Sequence, residues 1–195
     1  MALRRFLTSV RSGVVKTFRY VPTVSEIEST IVPLDNCHTL LASFGIGGDN
    51  REYQRWRRDD GFRWVDLEDT LNTSEFALGI DWREWLNDAV DTIAHQLSLI
   101  DVQLDVNLND DGDRGAISVG SASADIKFVP ADDDDFCAVV TAVNRLLGDR
   151  ASYRKFNSCE DSDGYWFGLQ TADQWNALDS SIPQTVKLIF KPDGT

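Results

Sequence analysis

Along the first twenty residues Leu3, Phe6, Leu7, Val10, Val14 and Phe18 recur at helical spacing, which predicts an amphipathic helix over residues 1–20. Residues 30–34 and 39–46 are short apolar runs, the second closed by Gly47 and Gly48, and both read as strands. The polar stretch 49–61 reads as an exposed loop or short helix, and 62–67, with Trp64 inside it, as another strand. From Asp81 the pattern changes. Trp82, Trp85, Leu86, Ala89, Val90, Ile93 and Leu97 share one helical face, with Asp81 as N-cap and Glu84 as its capping-box partner.

Val102, Leu104, Val106 and Leu108 then alternate with polar residues, and the turn-forming Asn109, Asp110, Asp111 and Gly112 follow. Ile117 with Val119, and Ile126 with Phe128, continue the alternation, so three antiparallel strands in a meander are predicted. A second helix opens at the acidic run 132–135, where the helix dipole favours negative charge. It buries Phe136, Val139, Val140, Val143, Leu146 and Leu147 and ends at Gly148. Strands over 152–157 and 164–170, a short helix capped by Thr171 with Gln174 at the third position, and a strand alternating Val186, Leu188 and Phe190 complete the chain. The fold class is α+β: a mostly antiparallel sheet with two main helices, in the order αβββαββαβ from residue 81, preceded by the N-terminal amphipathic helix. Residues 21–195 read as one compact acidic domain, because no linker divides them.

Charge adds a second axis. The chain has 25 Asp and 7 Glu against 14 Arg and 5 Lys, a net charge of −13. The first acidic residue is Glu26, and Arg4, Arg5, Arg11, Lys16 and Arg19 precede it, so the start is +5 and the rest is −18. Arg4, Arg5, Phe6, Arg11 and Lys16 thus form a basic contact arm, suited to the protein's own acidic body or to a neighbouring subunit in a homo- or hetero-oligomer. An organelle presequence has the same composition. The acidic remainder repels nucleic-acid phosphates and attracts cationic proteins. Cys37, Cys137 and Cys159 form no closely spaced pair, which points to a reducing, cytoplasmic setting, or a particle assembled there, rather than to disulfides or zinc; no apolar run is long enough to span a bilayer.

The order αβββαβ over residues 81–157, with Asp125-Ile126-Lys127 on its third strand and Asp113 before its second, resembles the core of the restriction-endonuclease-like nucleases. That resemblance implies a mixed sheet on which Asp113 and Asp125 hold Mg²⁺ while Lys127 stabilises phosphate charge, although the family usually has Glu where Asp125 stands. Residues 123–191 also fit a ferredoxin-like βαββαβ order. Asn107 to Asp113 invites comparison with a calcium loop, but Ser118 stands where the bidentate glutamate belongs, and a tight turn accounts for the same residues. Cys37 and His38, as neighbours on a strand, point to opposite faces and make no nucleophile–base pair. There is no Gly-x-Ser-x-Gly setting, glycine-rich phosphate loop or cofactor motif.

With no complete catalytic or metal-binding constellation, the sequence reads as a binding protein rather than an enzyme. It fits an acidic immunity or inhibitor protein that occludes a basic toxin or nuclease. Its contact residues are expected at Arg154, Glu160, Asp161, Asp163 and Trp166, where acids adjoin aromatics. A structural subunit of a larger assembly, such as a phage particle, is the alternative, with the basic N-terminal helix making the subunit contacts.

Overall fold

A computed structural model describes residues 30–81, 85–127, 136–158 and 164–191; the expected N-terminal helix, Phe128 and the acidic run 132–135 lie outside the described residues. The described elements are β1 (Ile31–Pro33), α1 (Leu34–Ser43), α2 (Arg51–Trp56), β2 (Gly61–Arg63), α3 (Trp64–Leu71), β3 (Ala77–Asp81), α4 (Leu86–Ser98), β4 (Asp105–Leu108), β5 (Arg114–Val119), β6 (Ala122–Lys127), α5 (Phe136–Leu147), β7 (Ala151–Lys155), β8 (Gly164–Thr171), α6 (Ala172–Ser181) and α7 (Pro183–Ile189). The strands form three antiparallel sheets, β1-β2, β3-β8-β7 and the meander β4-β5-β6. The fold is α+β.

The middle sheet divides two hydrophobic clusters. On β8, Phe167 and Leu169 join Leu78 and Ile80 of β3 and Ala151 and Tyr153 of β7 in a cluster with α4, α5 and the meander. The intervening residues face the opposite way. Trp166 packs with a second cluster built from α1, α3, α6, α7 and the aromatic group Phe44, Phe156, Trp175 and Phe190. Phe190 is the hub of that group, stacked on Phe44 at 5.8 Å and meeting Phe156 and Trp175 edge-on at 4.9 and 5.1 Å. Gln96 of α4 ties the first cluster together: its amide donates to the Glu75 and Ala77 carbonyls, each at 2.9 Å, and accepts from the Tyr153 hydroxyl at 2.9 Å. On the other side Gln170 donates to the Ser43 carbonyl at 2.8 Å. Both buried amides are therefore satisfied, as low-dielectric surroundings demand.

Several expectations need correction. The run 39–46 is helical to Ser43 and then turns, because Cys37, Leu40, Leu41 and the C-cap Phe44 are buried at the spacing of one helix face. The strand expected over 62–67 lasts only to Arg63; from Trp64 the buried positions Trp64, Leu67, Glu68 and Leu71 follow helical spacing in α3. Asp81 does not cap a helix: it is the last residue of β3, held opposite Gly164, and α4 starts at Leu86 behind an exposed Trp85. Trp82 and Glu84 lie outside the described residues. The final strand is a helix. Pro183 supplies its first turn without costing a hydrogen bond, and Thr185, Val186 and Ile189 turn inward. Only Phe190 keeps strand character, as an isolated bridge to Phe156. The order from α4 is thus αβββαββαα, and neither expected βαβ arrangement forms: β7 pairs with β8, not with the meander.

One buried acid stands apart. Glu68 is 3% exposed, and its Oε1 has no partner among the described residues, as is true of the Trp64 indole nitrogen one turn earlier. Burial pushes its carboxyl up to about 8, although hydrogen bonds from Ser158 pull the other way. The folded state therefore binds this proton more tightly than the unfolded chain, so the stability it contributes is complete below the ordinary glutamate value of about 4.5 and is lost as pH rises towards about 8. Glu68→Gln cannot ionise. Its stability relative to the native chain should rise by about 4 kcal/mol between roughly pH 5 and pH 8.5, read from denaturant melts at the two values. A pH-independent difference would show that Glu68 ionises freely. At the centre of β8, a Cβ on Gly168 would lie 2.7 Å from the Phe44 ring and 2.9 Å from Phe190. Gly168→Ala should cost about 1–3 kcal/mol in the same measurement.

Candidate functional site

Two helices of the first cluster end beside the start of α6. α4 closes with a Schellman motif, in which the Val102 N–H bonds the Leu97 carbonyl at 3.0 Å and the Asp101 N–H bonds that of Ser98 at 3.2 Å. Asp101 holds the left-handed position, φ 57°, that glycine normally takes, and does take at Gly148, φ 56°, after α5. Thr171, the last residue of β8, caps α6 through a complete capping box with Gln174, as its sequence predicts. The Ala172 N–H then bonds the Arg150 carbonyl at 3.0 Å, which fixes the head of α6 against the end of α5.

Between these three termini lies an open cleft of about 450 Å³, lined by Ile100, Asp101, Val102, Asp149, Arg150, Thr171, Ala172 and Asp173. Asp101, Asp149 and Asp173 are exposed, and none is in an ion pair among the described residues. Arg150 does not neutralise them. Its guanidinium turns back to cap α5, donating to the Leu146 and Leu147 carbonyls at 3.2 and 3.3 Å. Asp173 sits in the first turn of α6, where the helix dipole welcomes it, but Asp101 and Asp149 follow the ends of α4 and α5, where the dipoles are already negative. The cleft thus brings three carboxylates and two helix C-termini together with the N-terminus of α6 and the Arg150 side chain.

The residues singled out by sequence are distributed differently. Arg154 is committed to the fold, making a bidentate ion pair with Asp179 at 2.9 and 2.8 Å while its guanidinium lies 4.2 Å over the Trp175 ring. Trp166 pairs across the sheet with Gly79 and covers it: a Cβ on Gly79 would fall 2.6 Å from the indole. Glu160, Asp161 and Asp163 lie outside the described residues, as do Arg4, Arg5, Phe6, Arg11 and Lys16.

Asp125 and Lys127 are on the exposed face of β6. Asp113 is held by Arg114 at 3.1 and 3.3 Å and by Asn109 at 2.8 Å, and these partners keep its carboxyl below the usual range. Arg114 is opposite Lys127 and Ala116 opposite Asp125, so Asp113 is displaced by three residues, roughly 10 Å, along the ladder from Asp125. The two carboxylates do not converge, and the mixed sheet implied by the nuclease resemblance is not formed. Around Gly112, φ 69°, the 109–113 segment is a turn: the Asn109 side-chain oxygen accepts from the Asp113 and Arg114 N–H groups at 3.2 Å. Cys37 and His38 share a helix rather than a strand. The thiol donates to the Val32 carbonyl at 3.3 Å, whereas His38 meets the Tyr53 hydroxyl at 2.5 Å, so they make no pair.

Comparison with protein families, with curated proteins and with solved structures found no match. The cleft residues come from three separate helix ends, and sequence reasoning missed them. The available signal was an acid placed against a helix dipole, at Asp101 and again at Asp149. Backbone strain adds to that cost at Asp101. Asp101→Gly should therefore stabilise the isolated protein by about 1 kcal/mol, measured by chemical denaturation, since it removes both the left-handed penalty and the unfavourable charge. A destabilised variant would show that Asp101 holds the fold rather than sitting at its expense.

Proposed function

We propose that the chain is a protein-binding protein of the immunity or inhibitor kind, which captures a cationic protein by taking basic side chains of that partner into the cleft of Asp101, Asp149 and Asp173. The observation carrying this reading is that Asp101, Asp149 and Asp173 line one open cleft beside the C-termini of α4 and α5, while the Arg150 guanidinium on the same lining is engaged with the Leu146 and Leu147 carbonyls. An extended Arg or Lys side chain reaching the cleft replaces water on the carboxylates with charge-assisted hydrogen bonds and compensates the helix ends. The net charge of −13 supports the same reading at longer range, because it accelerates encounter with a basic partner in a salt-dependent way.

An oligoarginine peptide titrated into the native protein, with affinity read by fluorescence anisotropy and location by amide chemical shifts, tests the cleft directly. Binding at low salt should perturb residues around Asp101, Asp149 and Asp173. The triple change Asp101→Asn, Asp149→Asn, Asp173→Asn should weaken it by about tenfold, the size expected when charge-assisted contacts are lost. Asp125→Asn, on the exposed face of β6, should leave affinity unchanged. Equal weakening by Asp125→Asn, or shifts spread over the whole acidic surface, would reduce the interaction to diffuse attraction and end the proposal.

A further inference from the structure

The two described cysteines have opposite surroundings. Cys37 is fully buried in the second cluster, and burial pushes its thiol up to about 12, so it is held as an inert core thiol. Cys137 is the second residue of α5, a twelve-residue helix, and is only partly buried. Across from it stands Lys155 of β7, itself 8% exposed. The Lys155 Nζ lies 3.9 Å from the Cys137 Sγ and 3.6 Å from the centre of the Tyr165 ring, and it makes no ion pair with a carboxylate among the described residues. A buried lysine whose polar contact among the described residues is a thiol is an arrangement that favours the thiolate through the cation.

We propose that Cys137 is a reactive thiol, activated by the buried Lys155 side chain beside it, and that it is a site of oxidation by hydrogen peroxide. In that step the thiolate sulfur attacks one peroxide oxygen. The S–O bond forms as the O–O bond breaks, sulfur gives up two electrons to become a sulfenic acid, and the displaced hydroxide leaves as water after taking a proton. Among the described residues Lys155 faces the thiol, and its ammonium also lies against the Tyr165 ring. On the other packed elements, Asp125 and Lys127 point to the solvent side of β6, and Arg154 is on the opposite face of β7, bound to Asp179. The aspartates at 132–135, which precede Cys137 in sequence, lie outside the described residues.

Alkylation of the native protein with iodoacetamide from about pH 5 to 9, quantified cysteine by cysteine by mass spectrometry, tests this. The denatured chain in the same buffers is the reference. At about pH 7 Cys137 should react roughly fivefold faster in the native protein than in the denatured chain, with its pH midpoint lower, while Cys37 stays unlabelled. Hydrogen peroxide followed by dimedone should leave the sulfenic-acid adduct on Cys137. Lys155→Met should raise the midpoint by about one pH unit, and Lys155→Arg, which keeps the cation, should restore it. Native labelling of Cys137 no faster than in the denatured chain, a midpoint indifferent to Lys155→Met, or no dimedone adduct on Cys137 overturns the assignment. The native-against-denatured comparison stands even if a Lys155 variant fails to fold.

Discussion

Burial of β8 on both faces is the constraint from which the rest of the structure follows. An antiparallel strand usually offers one face to a core and the other to water, but here Phe167 and Leu169 enter one cluster while Trp166, Gly168 and Gln170 face the other. Each residue on the second face has had to solve a packing problem. Gly168 leaves room for the rings of Phe44 and Phe190, Gln170 spends its amide on the end of α1, and Trp166 fills the space left by Gly79 on the neighbouring strand. Aromatic cover over a cross-strand glycine restores area that the glycine cannot bury. Two clusters, each with its own helices, are thereby made to share one wall, so a change of volume at that wall is felt on both sides.

The same strand sets the cleft. Thr171 ends β8 and caps α6, and it is paired with Ala151, the first residue of β7. Asp149 and Arg150 immediately precede β7, and Ala172 and Asp173 immediately follow β8, so sheet register holds two walls of the cleft in place. The third wall comes from the Schellman turn after α4, whose helix Gln96 fastens to the edge of β3. The cleft walls are therefore fixed by strand pairing and capped helix ends rather than by free loops.

Legibility from sequence followed how far each segment could be explained by its own periodicity. The inward face of α4, the three-strand meander, the Gly148 stop and the Thr171–Gln174 capping box were all readable, because each depends on residues within a few positions of one another. Residues 30–71 were misread where a short apolar run passes for a strand: Leu40, Leu41 and Phe44 follow Cys37 at i+3, i+4 and i+7, which is helical spacing. Val186, Leu188 and Phe190 set the same trap, and Pro183 was the overlooked arbiter. The long-range partners of Trp166 and Arg154, Gly79 for one and Trp175 with Asp179 for the other, leave no mark on the local pattern. The cleft was invisible for the same reason. Its three aspartates are brought together by strand pairing and helix ends.

The total charge hides a distinction that the structure makes plain. Acids on solvent-facing strand positions, such as Asp125, cost the fold little, since water screens them and no helix end opposes them. Asp101 and Asp149 are different, because each adds negative charge where a helix dipole is already negative, and Asp101 does so from a left-handed backbone that disfavours it. A fold selected for stability alone would place Gly at position 101, as it does at 148. The cation nearest to hand, Arg150, is instead spent on carbonyls at the end of α5. Nor do the three carboxylates close around a point, for no cluster of acids, histidines or cysteines among the described residues is compact enough to hold a metal ion. They instead line an open cleft of about 450 Å³.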